Sequence, residues 1–259
     1  MQSRLQKNLV TEGFKQMLGD RGVSEDRRLH IGCANITPSG WINMDGSWNA
    51  WLARYPIVRR LFGTLGLVPR DKLGIDWESA IMIHDIRKGL PFPENYMTAI
   101  YASHVLEHLY FHEAKELLRE CFRVLCPEGI IRLVVPDLNY IIEGYRKRTS
   151  IGGEVEDNDA MCPADRLCER IGLPARRISK KNIFYYCYSI LKDFHSHKWM
   201  YDEQSLSQRL AEAGFINVSK RGFLESEIAG IEEVERKDRL DNGGICLEGA
   251  KPHEIPSTH

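Results

Sequence analysis

Three side chains in one short string could move a proton or hold a metal. His104, Glu107 and His108 stand at i, i+3 and i+4, the spacing that places side chains on one face of a helix. A histidine changes charge near neutral pH and can take a proton from a hydroxyl, and a carboxylate can orient it. His104 or His108 is therefore the expected base, with Glu107 orienting it or binding a substrate. A second kind of chemistry is written into Arg28–Asp45, RLHIGCANITPSGWINMD. It reads as a strand over Leu29–Cys33, a turn opened by Gly32, and a strand over Trp41–Met44 that ends in Asp45. A glycine there lets backbone approach a ligand, and an acid at the end of the second strand accepts hydrogen bonds from ribose hydroxyls. Read alone this signal is weak, because the turn holds one motif glycine.

The elements that must position these groups follow from periodicity. Leu5, Leu9, Phe14, Met17 and Leu18 lie near helical spacing and predict an N-terminal helix over residues 3–18. The stretch after Asp45 alternates aromatic and apolar residues (Trp48, Trp51, Tyr55, Leu61) with Arg54, Arg59 and Arg60. It predicts an inserted amphipathic helical segment whose apolar face packs on the domain. Ala80–Ile86 and Ala99–Ser103 read as a third and a fourth strand. Val105–Leu125 carries the clearest helical pattern, stopped by Pro127 and Gly129, and Ile130–Val135 is a fifth strand. From Leu138 to Lys198 the rhythm breaks, with a polar stretch over Thr149–Ala160 and then Phe184, Tyr185, Tyr186 and Tyr188. This predicts a lid or cap above the sheet. Tyr185, Tyr186 and Tyr188 could stack on a sugar ring or an aromatic acceptor, and aromatic core packing is the favoured reading. Asp202–Ala213 is a helix stopped by Gly214, and Phe215–Lys220 and Gly244–Ala250 complete seven strands. Apolar strands of this kind belong to an α/β fold with a mainly parallel sheet.

Composition narrows the class. The chain has 259 residues, a formal net charge of -1 and 27% charged residues, so no basic footprint for nucleic acid is present. Its seven cysteines are odd in number and none has CxxC spacing, which fits reduced thiols in a cytoplasmic protein. No long apolar run predicts a membrane span. The N-terminus lacks the pattern of a secretory signal.

Taken together, LHIGCA…GWINMD, HDIRKGLPFPENYMTAIYASHVLEHL, ELLRECFRVLCPEGIIRLVVPDL and HKWMYDEQSLSQRLAEAGF resemble class I S-adenosylmethionine-dependent methyltransferases. The similarity is to the small bacterial type-11-like enzymes, often associated with sugars and surface polysaccharides. It runs from about Leu29 to Val135 and resumes over His197–Ala250. The resemblance implies a Rossmann-like sheet of seven strands with helices on both faces, an antiparallel last strand and a cap insertion before the sixth strand. It implies a division into an N-terminal helix and link (1–26), a cofactor-binding half (27–137, with a helical insertion at 46–75), a substrate cap (138–198), a C-terminal helix and strands (199–251) and a tail (252–259). It also implies roles. Gly32, Cys33, Ala34 and Asn35 would form the turn under the methionine part of the cofactor, and Asp45, followed by Gly46, would take the ribose hydroxyls. His84, Asp85 and Ile86 would flank adenine, while Ser103 and His104 would border the methyl-transfer face. His197 would join the catalytic group from a segment that closes over the site.

Two departures from the family pattern stand out. The turn is poor in glycine, and the link from Gly32 to Asp45 is too short for the usual helix, so a loop is expected there. The cofactor carries a sulfonium and no phosphate, so loss of a helix N-terminus is tolerable.

The implied activity is methyl transfer from S-adenosylmethionine, releasing S-adenosylhomocysteine, to a hydroxyl of a sugar, polysaccharide precursor or similar small molecule. A homo-oligomer is left open. A divalent ion on His104, Glu107 and His108, joined by His195 or His197, also stays open, although the favoured reading is metal-free. The HxxEH spacing matches inverted zinc proteases too, but the surrounding motifs argue against a protease. Two rival readings are a non-catalytic scaffold of the same fold and a nicotinamide-dependent oxidoreductase. The latter lacks the GxGxxG turn.

Overall fold

The computed structural model describes residues 26–47, 50–51, 54–55, 57, 61, 64, 81–150, 162–173 and 196–253. The predicted N-terminal helix, most of the 46–75 insertion, the 151–160 stretch, the tyrosine run, His195 and the end of the tail lie outside the described residues.

Seven strands form one sheet: β1 (Arg28–Ile31), β2 (Trp41–Asp45), β3 (Met82–Ile83), β4 (Met97–Ser103), β5 (Leu125–Pro136), β6 (Ile216–Lys220) and β7 (Gly244–Ala250). Their order is β3-β2-β1-β4-β5-β7-β6. The pairs from β3 through β5 are parallel, and β7 runs antiparallel to both β5 and β6. The expected α/β sheet with an antiparallel last strand is therefore present. The link from Gly32 to Gly40 is a loop of turns with no helix, as its length required.

Side chains alternate between the two faces with the period of two that strands impose. Leu29, Ile31, Ile100, Ala102, Leu133 and Val135 join one buried cluster, to which the helices α1 (Phe111–Val124) and α4 (Glu203–Glu212) contribute Leu117, Leu118, Leu206 and Leu210. The intervening Trp41, Ala99, Tyr101, Val134 and Cys246 face the other way, against Ile228, Ile231 and Val234. That second face is closed by a loop and a 3-10 turn (Ile231–Glu233), with Leu240 of the short α5 (Lys237–Asp241) packed beside it. Arg132 pins the loop to the sheet. It is fully buried, donates to both oxygens of Glu235 and to Glu248, and reaches the carbonyls of Gly222 and Glu225.

The structure corrects the helix expected from Val105. His104 is left-handed (φ 55), Leu106–His108 is a 3-10 turn, and α1 begins only at Phe111. The reason is local. Leu109 and Tyr110 are extended, and the Glu113 carboxylate accepts the Tyr110 N–H at 2.9 Å, which fixes the helix start at Phe111. His104, Glu107 and His108 thus share a tight turn and not a helical face. A second correction concerns the stretch after Asp137, where no pattern was legible. Leu138–Thr149 forms α2, started by the Asp137 carboxylate accepting the Asn139 N–H, and Pro163–Arg170 forms α3. Among the described residues no helix is long and apolar enough to cross a membrane.

Candidate active site

The strand registers bring the expected cofactor residues to one edge. Ile31 pairs with Met44 and with Ala102, and Asp45 pairs with Ile83. Gly32, Asp45, His84 and Ser103 therefore all follow or end their strands at the carboxyl side of the sheet. The strand order reverses between the parallel neighbours β1 and β4, and the crevice outside such a switch point is where open α/β sheets bind ligands.

At that edge the turn is held tightly. Gly32 and Cys33 both donate their N–H to the carbonyl of Met44, at 2.8 and 3.2 Å. Gly32 has φ 69, and a Cβ on it would lie 2.5 Å from Val105 Cγ2, so only glycine lets the turn lie against the chain after β4. Asp45 is buried; one carboxylate oxygen accepts the Ala34 N–H at 2.9 Å and the other the Ser47 N–H at 2.7 Å. Asn35 sits in the same turn, and Ile36 closes it by donating to the Cys33 carbonyl. Burial, reinforced by the Asp45 charge, pushes the Cys33 thiol up to about 12, so it stays neutral. Gly46 packs its Cα against the His84 carbonyl, where a larger residue would clash.

Next to it, His84 Nε2 lies 2.6 Å from the Gly89 carbonyl. Asp85 caps the 3-10 turn Ile86–Lys88 and is gripped by Arg87, at 2.8 and 3.0 Å. The Arg87 hydrogen bonds hold the Asp85 carboxyl below the usual range.

The catalytic candidates lie at the end of β4. His104 donates its backbone N–H to Val134 of β5, which secures its uncommon left-handed backbone. Its Nδ1 is 2.9 Å from Glu107 Oε1. That distance would suit a hydrogen bond, but the alignment does not, and both Glu107 oxygens and His104 Nε2 lack a hydrogen-bond partner among the described residues. Glu107 is fully buried. His108 turns Nδ1 toward the Ser196 carbonyl at 3.3 Å and has Nε2 4.0 Å from Glu107 Oε1. His197 packs its ring 5.3 Å from that of His108. Lys198 and Trp199 donate their N–H groups to the Glu107 carbonyl, so the two segments are clipped together. Burial lowers the His197 pKa, against an opposing pull from Glu107.

All four catalytic candidates thus meet: three come from one turn, and the clip at the Glu107 carbonyl brings in His197.

A cleft of about 340 Å³ opens beside them, lined by His104, His197, Arg170, Asp238, Arg239 and Asn242 among others. The four polar residues beyond the histidines were not singled out from sequence. Their positions follow no motif, and only the fold assembles α3, α5 and the end of β4. His108 is not among the residues lining the cleft, while His104 is.

A family model described as "Methyltransferase domain" matches residues 68–133, the part that includes β3, β4 and α1. No curated protein matches the chain. Among solved structures, the chain is similar to an S-adenosylmethionine-dependent methyltransferase from Methanosarcina mazei, with 17% identity over 92% of this chain and 98% of that one, at a TM-score of 0.43. It is similar to a possible histamine N-methyltransferase from Thermotoga maritima, with 14% identity over 95% and 97% of the two chains, at a TM-score of 0.41. It also resembles the S-adenosylmethionine-dependent methyltransferase SibL in its apo form, at 13% identity and a TM-score of 0.40; 91% of this chain aligns, spanning 53% of that one.

Proposed function

We propose that this chain is a class I S-adenosylmethionine-dependent methyltransferase, a reading supported by its matched domain and its sheet, and that it O-methylates a sugar, polysaccharide precursor or similar hydroxyl-rich small molecule. The observation that carries this reading is His104, which lies at the cofactor edge of the sheet and also lines the polar cleft.

The residues at the edge fit the cofactor. Each oxygen of Asp45 accepts one backbone N–H, and a carboxylate has about four acceptor positions, so it retains two for ribose hydroxyls. The turn spends the N–H groups of Gly32, Cys33 and Ala34 within the protein. Those three N–H groups are thus not offered to a phosphate, while carbonyl oxygen of the turn suits a cationic amino-acid moiety. His84, Asp85 and Ile86 would border adenine. When bound, S-adenosylmethionine supplies an electrophilic methyl group on a sulfonium.

The protein's own part is alignment and proton removal. Arg170, Asp238, Arg239 and Asn242 give the cleft both donors and acceptors, as a polyhydroxylated acceptor needs. His104 is the base for the acceptor hydroxyl in this reading, and Glu107, beside its Nδ1, stabilises the cation that forms.

The test is release of S-adenosylhomocysteine with a panel of sugars and sugar nucleotides, read by mass spectrometry. His104→Gln should lower turnover by about 10²–10⁴-fold while cofactor affinity holds. A His104→Gln enzyme as fast as wild type would remove the histidine from the chemistry. Cofactor binding without turnover on any acceptor would favour the scaffold reading.

A further inference from the structure

The cluster around Glu107 asks for something that the described residues do not give it. A carboxylate with no exposure and no hydrogen-bond partner on either oxygen is costly unless a cation compensates it. His197 Nδ1 is likewise buried without a hydrogen-bond partner. One ligand atom from each of Glu107, His108 and His197 lies within 4.8 Å of the others. We propose that Glu107, His108 and His197 form a binding site for a divalent transition-metal ion of the zinc class, at the edge of the acceptor cleft.

The donor set has the chemistry for it. Two imidazoles and one carboxylate are a recurrent set for zinc, with a further position left for water or substrate. The Ser196 carbonyl can only accept, so His108 Nδ1 carries the proton in that contact and Nε2 is the ligating nitrogen. This is the outer support that metal-bound histidines use. His104, outside the proposed ligand set, has Nδ1 2.9 Å from Glu107 Oε1.

The frame around the set is rigid. Lys198 and Trp199 hold the His197 segment to the Glu107 carbonyl at 2.6 and 3.2 Å. Behind His197 lies Gly172, left-handed at the end of α3, where an added Cβ would come within 2.8 Å of the His197 Cβ. Bonds of about 2.0–2.2 Å place tetrahedral ligand atoms roughly 3.4 Å apart, so rotations of about 1 Å at the side chains close the set.

An ion there would meet the cleft through His197, one of its lining residues. An acceptor oxygen could take its open position, where a Lewis acid lowers the pKa of a hydroxyl. That role rests on the methyl-transfer reading, but occupancy of the site does not.

The experiment is therefore one of binding. The full-length chain is stripped with chelator, and cobalt(II) and zinc are titrated in. Stoichiometry is read by elemental analysis, and ligation by the visible absorption of cobalt. One equivalent should bind, with bands of a nitrogen- and oxygen-ligated ion. His197→Ala and His108→Ala, shown to be folded by circular dichroism, should each weaken binding at least about tenfold. Cys162→Ser/Cys168→Ser, which alters two exposed thiols, should bind as wild type does. No stoichiometric binding by folded wild type would overturn the proposal. So would unchanged affinity in both histidine variants, or thiolate charge-transfer bands. None of these readouts depends on methyl transfer, so the two readings fail separately.

Discussion

His30 shows how far burial can set a residue's chemistry. It lies in β1 and is packed against the rings of Trp41 and Tyr101 on the loop-covered face of the sheet, 2% exposed. Desolvation pulls its pKa from 6.5 to about 4, against smaller opposing contributions from the Asn43 side chain and the Ile36 backbone. The folded state therefore keeps it neutral where the unfolded chain would take a proton. Below pH 6.5 the unfolded state binds more protons, so stability falls with pH down to about 4 and no further from this group. Each pH unit in that window is worth about 1.4 kcal/mol, or about 2 kcal/mol lost at about pH 5. Urea denaturation of wild type and His30→Phe at neutral pH and about pH 5 measures it: the variant should lose about 2 kcal/mol less on acidification. Equal losses in the two proteins would mean that His30 titrates normally in the fold. In sequence this histidine is one polar residue between Leu29 and Ile31. Its environment is made by Trp41 and Tyr101, which only strand pairing brings near.

The elements differ in how plainly the sequence announces them, and the difference is physical. β7 has the predicted bounds, Gly244–Ala250, because its run is bracketed by glycines and buried on both faces. α4 falls one residue inside its predicted bounds, because Asp202 accepts from Ser205 N and Ser205 Oγ accepts from Asp202 N, a reciprocal cap readable in the sequence. α2 escaped notice because Ile141 is its one buried residue, which leaves no apolar stripe. The break before α1 escaped because Glu113 acts through a hydrogen bond and not through periodicity. Arg132 is the same lesson in a strand. It stands among apolar residues of β5, and its partners Glu235 and Glu248 come from far along the chain. Replacing it as Arg132→Met leaves two buried carboxylates without their cation, which costs about 3–5 kcal/mol. The loop over 222–235 should then detach from the sheet first. Hydrogen exchange is the measurement: protection at Leu224, whose N–H donates to Glu235, and at Val234 should fall more than protection in α1. A uniform fall across both regions would show that the loop and the sheet unfold as one unit.

At the scale of the whole molecule, the strand order reverses once, between the parallel neighbours β1 and β4, and the proposed cofactor edge lies at that switch point. The residues proposed for the cofactor stand at strand ends in short, near-contiguous strings that a sequence can show: Gly32–Asn35, Asp45–Gly46 and His84–Ile86. Those proposed for the acceptor do not, since Arg170, Asp238, Arg239 and Asn242 converge only once α3 and α5 are in place. The same architecture separates the two nucleotide cofactors that a strand–glycine–strand–acid plan could serve. A dinucleotide needs free backbone N–H groups for its pyrophosphate, ideally at a helix N-terminus. Here the N–H groups of Gly32, Cys33 and Ala34 are already donated to Met44 and Asp45, and a loop replaces the helix. S-adenosylhomocysteine, binding the folded state alone, should stabilise it by about 2.7 kcal/mol at a hundredfold excess over its dissociation constant. For a chain of this size that is a rise in melting temperature of roughly 5–10 °C. NADH at the same concentration should leave the melting temperature unchanged. Asp45→Ala should abolish the rise with S-adenosylhomocysteine, because it removes the proposed ribose acceptor and releases the Ala34 N–H that shapes the turn. A shift with NADH and none with S-adenosylhomocysteine would reverse the assignment of this edge, since both ligands would compete for the crevice between β1 and β4.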